Sequence, residues 1–107
     1  MQEKAINIIK DELQKRRIKV EKIILFGSRA RGDFAEDSDW DFLVIVDKEL
    51  SFLEKREILS DIYRNLAKLK DSYEVILKSE ASFEKVKNYV GIVSYDADKE
   101  GVLLWKS

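Results

Sequence analysis

The sequence predicts an α/β (α+β) protein in which a small mixed β-sheet is flanked by helices, with the order α-β-α-β-α-β-α-β. Segments with apolar residues at helical spacing alternate along the chain with short runs of β-branched and aromatic residues. Too little chain separates the first two of these runs for a full crossover, so the two strands are expected to be antiparallel. The second and third runs enclose a helical segment and are expected to be parallel, with a right-handed connection.

The first half of the chain contains a predicted helix, two strands and a helical turn between them. Residues 1–17 place alanine, isoleucine and leucine near helical spacing among lysines and glutamates, which indicates a helix. Residues 20–26 are rich in β-branched and aromatic side chains and end at a glycine, which predicts a strand. Residues 28–32 are expected to form one helical turn. Residues 41–46 are an apolar run typical of a strand covered on both faces.

The second half of the chain begins with a capping box. Ser51 and Glu54 have the spacing of this motif, so a helix is expected to start there. One face of that helix is predicted to pack on the core through five residues, Phe52, Leu59, Ile62, Leu66 and Leu69. Residues 73–77 are predicted to form a third strand. Ser82 is expected to cap a last helix that runs to about residue 97, and residues 102–105 are expected to form the final strand.

Composition restricts the classes of protein and of chemistry that remain. The chain has 107 residues, the usual size of one domain, and residues 1–107 are predicted to form a single domain. Hydrophobic residues make up 45% and charged residues 38%, which indicates a folded protein and not a disordered one. The absence of cysteine and histidine excludes disulfide frameworks, thiolate or imidazole metal sites and histidine-based catalysis. Any chemistry must use carboxylates, hydroxyls, amines, guanidinium groups and bound metal.

Charge balance and hydropathy bear on partners and location. The net charge of −1 argues against a strongly basic surface for nucleic acid. No apolar run approaches the ~18 residues of a membrane span, and the N-terminus lacks a signal-peptide pattern. We therefore expect a cytoplasmic protein that binds neither membranes nor nucleic acid.

A glycine–serine turn follows the first predicted strand. Gly27 has no side chain, so backbone N–H groups beside it can approach an anion closely. Ser28 can add its hydroxyl, and Arg29 and Arg31 can add positive charge. A plain strand-to-helix turn with two solvated arginines is the alternative. A P-loop is excluded, because the residue after Gly32 is an aspartate where that motif requires lysine.

Two aspartates open the second predicted strand. Asp39 and Asp41 are two residues apart, and side chains at this spacing point to the same face of a strand. Two such carboxylates can share divalent ions, and their hard oxygens favour Mg²⁺ or Mn²⁺. Trp40 and Phe42 are expected to face the core. An EF-hand is excluded, because position six of that loop would be Phe42 instead of glycine; two plain surface aspartates at a strand entry are the alternative.

The turn and the aspartate pair together resemble the nucleotidyltransferase superfamily typified by DNA polymerase β. In so short a chain, residues 26–32 (FGSRARG) followed by residues 39–41 (DWD) are similar to the minimal nucleotidyltransferase (MNT) family. The resemblance covers nearly the whole chain, but its specific part is residues 26–46. It implies the nucleotidyltransferase fold, whereas the spacing of the elements alone leaves other α/β sandwiches open.

The resemblance also implies roles for individual residues. Asp39, Asp41 and a third acid on the strand after the long helix would be catalytic and would bind the metal, Mg²⁺ or Mn²⁺. The candidate for the third acid is Glu74, where small members of the family more often have aspartate; an exposed glutamate on an edge strand is the alternative. Asp71 is the second choice for the third acid, but it lies in the turn before the strand. Four residues of the turn would bind the nucleotide, ATP or another nucleoside triphosphate: Gly27, Ser28, Arg29 and Arg31.

The expected reaction is attack by a hydroxyl group on the α-phosphorus of the nucleoside triphosphate, with loss of pyrophosphate. The resemblance implies transfer of AMP from ATP to a partner protein, with the chain as the antitoxin half of a HEPN/MNT toxin–antitoxin pair. A second copy of the chain could instead complete the cleft, as a homo-oligomer. The alternative function is a weak or inactive binding module that neutralises a partner by occlusion, which the longer Glu74 side chain and the lack of an acceptor-binding domain would favour. Modification of a small molecule is not expected, because no residues remain for a pocket-forming domain.

Overall fold

Four strands form one mixed β-sheet in the computed structural model, which describes residues 2–86 and 101–107. In chain order they are β1 (Val20–Phe26), β2 (Trp40–Val46), β3 (Tyr73–Ser79) and β4 (Val102–Lys106), and their order across the sheet is β3-β2-β1-β4. β1 pairs antiparallel with both β2 and β4, and β2 pairs parallel with β3. The predicted mixed sheet and the predicted directions of the first three strands are confirmed.

Within the described residues the helices are α1 (Glu3–Lys15), α2 (Ser28–Arg31), α3 (Phe52–Leu66) and α4 (Glu80–Val86), so the predicted order of elements is confirmed. The predicted cap of α4 was wrong. β3 continues to Ser79, whose hydroxyl caps the helix by accepting a hydrogen bond from the Ser82 N–H at 3.0 Å. The rest of the predicted last helix lies outside the described residues. No helix of residues 2–86 and 101–107 combines the length and the apolar character that crossing a membrane requires.

The sheet has a buried core on each face, and β2 contributes to both. Phe42, Val44 and Val46 belong to the cluster of apolar side chains under α1 and α3. Leu43 and Ile45 of the same strand belong to a second cluster, which includes an aromatic residue of α4. None of these five side chains is more than 1% exposed. The prediction that residues 41–46 form a strand covered on both faces is confirmed.

α3 starts at the predicted capping box. The Ser51 hydroxyl accepts a hydrogen bond from the Glu54 N–H at 3.1 Å, and the Glu54 carboxylate accepts one from the Ser51 N–H at 3.0 Å. The buried face of α3 consists of Ile58, Ile62 and Leu66, with Leu59 and Leu69 partly buried beside it. Phe52 is 77% exposed, so the prediction that it packs on the core was wrong. It is the first residue of α3 and precedes Ile58, the first buried residue of that helix, by about one and two-thirds turns, so it lies on the part of the helix before the core contact begins.

One charged residue is buried between α1 and α3. Glu12 is 5% exposed. Its carboxylate accepts hydrogen bonds from Lys15 at 3.0 Å and Arg16 at 3.1 Å. Asn65 of α3 donates a further bond to it at 3.0 Å. The bonds from Lys15 and Arg16 lower the pKa of Glu12 below its ordinary value of 4.5, against the effect of burial. Helical periodicity missed this residue, because a charged side chain in an amphipathic pattern usually marks the exposed face.

Glu12→Gln is expected to lower the free energy of unfolding by about 1–2 kcal/mol near neutral pH, because the salt bridges to Lys15 and Arg16 lose their anionic partner and one acceptor oxygen becomes an NH₂ donor. The folded-state pKa of Glu12 is depressed, so its contribution is present above about pH 4.5 and is lost as the pH falls through the folded value. The stability difference between wild type and variant should therefore shrink as the solution is acidified. Urea denaturation at several pH values measures it, with Glu57→Gln at an exposed position of α3 as the matched control. A difference that did not change with pH would contradict this account.

Candidate active site

Three carboxylates meet where β2 and β3 begin. Asp41 and Glu74 are partners in the parallel register of β2 and β3, so the sheet holds their backbones side by side. Asp39 lies two residues before Asp41, just ahead of β2. One carboxylate oxygen from each of the three residues lies within 4.8 Å of the other two. Asp39 and Glu74 are exposed and Asp41 is half-buried, so this acidic cluster opens to solvent.

The crowding of negative charge changes the titration of Asp41. Partial burial, together with the charges of Glu74 and Asp39, raises the pKa of Asp41 to about 6. A hydrogen bond with Glu74 raises it as well, and the positive charge of Arg31 acts in the opposite direction. A divalent cation would relieve this repulsion, and carboxylate oxygens are the hard donors that Mg²⁺ and Mn²⁺ prefer. The residues present therefore fit a divalent metal ion.

The turn after β1 lies directly against Asp41. β1 and β2 are antiparallel, and their register pairs Phe26 with Asp41. Gly27 has φ 75° and ψ −160°, a conformation that essentially only glycine adopts. A Cβ atom added to Gly27 would overlap Oδ2 of Asp41 and would lie 3.2 Å from its Cγ. The structure therefore brings the glycine–serine turn and the acidic cluster together, and both the backbone and the carboxylate require glycine at this position.

The other residues predicted to bind the nucleotide lie on α2, in different surroundings. Ser28 is the first residue of α2 and is half-buried. Arg31 is exposed, and its charge reaches Asp41, whose pKa it lowers. Arg29 instead donates hydrogen bonds to backbone carbonyls of loop 33–39. Nε of Arg31 also lies 3.4 Å from Oδ2 of Asp33, so both arginines of α2 contact loop 33–39. Of the two, Arg31 is the one whose charge lowers the pKa of Asp41.

Two aromatic residues beside this site were not among the residues predicted to form it. The guanidinium carbon of Arg29 lies 4.5 Å from the ring centre of Phe34 and 4.3 Å from that of Trp40. Trp40 was expected to face the core; it contacts the cluster under α1 and α3 but is only half-buried. The sequence did contain a signal for this arrangement: Phe34 lies within a charged loop and Trp40 at its end, and both are close in sequence to two arginines.

The chain matches a family model over almost its whole length. The model describes Polymerase beta, Nucleotidyltransferase, and residues 7–106 match it. A relative from Methanocaldococcus jannaschii, "Putative protein adenylyltransferase MJ0604", is 36% identical over 89 residues. The matched region is 82% of this chain and 84% of that protein.

Two solved structures have a similar fold. One, "Crystal structure of a putative nucleotidyltransferase from Sulfolobus solfataricus", matches 94% of this chain and 75% of that chain, with a TM-score of 0.62 and 24% identity. The other, the tri-AMPylated Shewanella oneidensis HEPN toxin in complex with MNT antitoxin, matches 100% of this chain and 74% of that chain, with a TM-score of 0.55 and 19% identity. These two likenesses support the nucleotidyltransferase fold. The family resemblance predicted from residues 26–46 is confirmed: the chain belongs to the Polymerase beta nucleotidyltransferase family.

Proposed function

We propose that the chain transfers AMP from ATP to a hydroxyl group of a partner protein, as the antitoxin half of a HEPN/MNT toxin–antitoxin pair. The observation that carries this proposal is the acidic cluster of Asp39, Asp41 and Glu74 next to the glycine–serine turn. Metal-dependent nucleotidyl transfer needs a place for divalent cations beside a place for the triphosphate. The cluster and the turn are adjacent, as that requirement demands.

The acidic cluster would hold Mg²⁺ or Mn²⁺ through one oxygen from each of its three carboxylates. When bound, the ion supplies charge neutralisation at the triphosphate and at the attacking oxygen. Gly27 lets the backbone approach the outer phosphates because no side chain intervenes. Ser28 offers a hydroxyl donor and Arg31 a permanent positive charge to the same phosphates.

The reaction would be a displacement at the α-phosphorus of ATP. The acceptor hydroxyl oxygen forms a bond to this phosphorus, the bond from phosphorus to the bridging oxygen breaks, and pyrophosphate leaves. The proton of the acceptor hydroxyl must pass to a base. Glu74 is the candidate, since it is exposed to solvent and its carboxylate belongs to the acidic cluster.

The choice of AMP and of a protein acceptor is supported by the related proteins. The relative from Methanocaldococcus jannaschii carries the name of a protein adenylyltransferase. The Shewanella oneidensis structure pairs an MNT antitoxin with a HEPN toxin that is tri-AMPylated. Both names describe the attachment of AMP to a protein, and the second also identifies the AMPylated partner as a HEPN toxin.

The alternative is a binding module that neutralises its partner by covering it. One argument for this alternative was that Glu74 is one methylene longer than the aspartate more common in small members of the family. An oxygen of Glu74 nevertheless lies within 4.8 Å of oxygens of Asp39 and Asp41. The Glu74 carboxylate is thus part of the acidic cluster despite its longer side chain. We therefore favour nucleotidyl transfer over occlusion as the proposed function.

Label transfer from ATP tests the proposal. The purified chain, Mg²⁺ and the protein encoded by the neighbouring gene are incubated with ATP labelled at either the α- or the γ-phosphate. We expect label on the partner from the α-position alone, because AMP is transferred and the outer phosphates leave as pyrophosphate. Asp39→Asn/Asp41→Asn should transfer nothing. Asp71→Asn, at an exposed acid in the turn before β3, should transfer as well as wild type.

Two results would contradict the proposal in different ways. A partner that binds the wild-type chain tightly yet acquires no label would favour occlusion. Transfer by the double variant at the wild-type rate would show that other residues perform the chemistry.

A further inference from the structure

Arg29 connects α2 to loop 33–39. Its Nε donates to the carbonyl of Ser38 at 3.2 Å, and its Nη2 donates to the carbonyls of Ser38 and Glu36, each at 3.0 Å. The guanidinium also lies over two aromatic rings, those of Phe34 and Trp40. A planar guanidinium can make directed hydrogen bonds at its edge and stack through its faces at the same time, which a lysine ammonium cannot do.

These contacts restrain the backbone on one side of Asp39. The Ser38 carbonyl belongs to the peptide group that joins Ser38 to Asp39, so the bonds from Arg29 orient that planar group. On the other side of Asp39, the Trp40 N–H donates to the Ser72 carbonyl at 2.9 Å. Asp39 is therefore held between two restraints, one from α2 and one from the chain that enters β3.

The three acids depend on this loop to different degrees. Asp41 and Glu74 lie on paired strands, and the register of the sheet keeps them together without help from the loop. Asp39 precedes β2 and is exposed. Its distance from the other two carboxylates is therefore set by the conformation of loop 33–39.

We propose that Arg29 is a positioning residue, which holds loop 33–39 so that the Asp39 carboxylate meets the other two, and that it does not bind the triphosphate. This inference rests on the proposed function, because it takes the acidic cluster as the site of a divalent ion. It gives the two arginines of α2 separate roles. Arg31 pairs with Asp33 at the exposed start of the loop and acts on the site by its charge, whereas Arg29 holds the loop beside Asp39 through the Glu36 and Ser38 carbonyls.

The proposal is tested by measuring, with electron paramagnetic resonance, how tightly the whole chain binds Mn²⁺ in the absence of nucleotide. Arg29→Lys keeps the positive charge but loses the planar fork and the ring contacts. Its affinity for Mn²⁺ is expected to fall about tenfold or more, the range typical of residues that orient metal ligands. Arg56→Lys, at an exposed arginine of α3, is the matched control and should bind Mn²⁺ as wild type does.

Phe34→Ala provides a second variant that can neither remove a charge nor unfold the core. Phe34 is 46% exposed, and its ring contacts Arg29. Removing the Phe34 ring should also weaken Mn²⁺ binding, by a smaller factor than Arg29→Lys does. In both variants the backbone amides of residues 33–39 should exchange with deuterium faster than in wild type, while those of β2 and β3 should not.

Steady-state kinetics of AMP transfer separates positioning from phosphate binding. For Arg29→Lys we expect a higher Mg²⁺ concentration at half-maximal rate, with the rate restored by excess Mg²⁺. The KM for ATP at saturating Mg²⁺ should stay within about threefold of wild type, because only metal binding has been weakened.

The possible failures are distinguishable. Equal Mn²⁺ affinity in wild type and Arg29→Lys would overturn the positioning role and leave the proposed function standing. Equal Mn²⁺ affinity together with a raised KM for ATP would identify Arg29 as a phosphate ligand. A wild-type chain that binds no Mn²⁺ would overturn the metal site itself, and with it both proposals.

Discussion

Asp41→Asn is expected to lower the rate of the proposed AMP transfer by about 10³-fold or more, because the neutral amide removes a charge that metal binding and nucleotidyl transfer would both use. Asp41 is at the centre of the site. It neighbours Glu74 through the sheet register and Gly27 through the turn, and its titration responds to both Asp39 and Arg31. Loss of its charge should therefore affect metal binding and the placement of the triphosphate together.

The same substitution is expected to stabilise the metal-free protein. Burial and the charges of Glu74 and Asp39 oppose ionisation of Asp41, whose pKa is raised to about 6. An acid with a raised folded-state pKa destabilises the folded protein above that pKa, so a neutral amide at this position removes a repulsion at neutral pH. Lost activity with gained stability would exclude unfolding as the cause of the loss.

Initial rates of transfer at saturating Mg²⁺ and ATP measure the first effect, and thermal unfolding in the presence of EDTA measures the second. Asp71→Asn is the control for the removal of one surface acid. A loss of activity smaller than about tenfold would contradict a central role for Asp41. Lower stability in EDTA would contradict the electrostatic account.

Gly27→Ala is expected to reduce activity about 100-fold and to lower the free energy of unfolding by about 1–3 kcal/mol, the range for a residue held in a conformation that its side chain disfavours. The added Cβ would overlap Oδ2 of Asp41, and the neighbouring Cγ is only 3.2 Å away. Either the turn or the carboxylate must move. In both cases the spacing between the turn and the acidic cluster changes, and displacements of this kind have large effects on rate.

Gly32→Ala separates the backbone strain that an added methyl group causes from the contact that it makes with Asp41 at position 27. Gly32 also has a positive φ, 89°, but nothing lies within 4 Å of an added Cβ. Its substitution should destabilise the fold through backbone strain, as at Gly27, while activity stays close to that of wild type. Transfer rates and urea denaturation of the two variants give the comparison. Equal loss of activity in both would show that strain alone, and not the contact with Asp41, governs the effect at Gly27.

Much of the frame of this site could be predicted from local sequence. β1 ends at a glycine, and the run that forms β2 is apolar because both of its faces are buried. The side chains of Ser51 and Glu54 each accept a hydrogen bond from the backbone N–H of the other residue within one helical turn. Their spacing alone therefore marked the start of α3. Asp39 and Asp41 lie on one side of the strand entry because side chains alternate with a period of two.

Other parts of the site needed the packed structure. The sequence left Glu74 open between a member of the metal site and an exposed glutamate on an edge strand. The register that pairs Asp41 with Glu74 places the two side by side, and no local pattern encodes a register between strands separated by a whole helix. Arg29 was predicted to bind the nucleotide because of its position in the turn. Its hydrogen bonds to the carbonyls of loop 33–39 could not be read from that position.

The sequence by itself determined the element order, the exclusion of histidine and cysteine chemistry, the glycine turn and the aspartate pair, since each depends on residue identity or on periodicity within a few neighbours. Only the tertiary structure decided four further points: Glu74 stands beside Asp41, Arg29 contacts the loop before Asp39, Glu12 is a buried charge, and Phe52 is exposed. The physical reason is the same for all four. Each depends on where the packed helices, strands and loops place a side chain relative to its neighbours, and sequence spacing does not specify that placement.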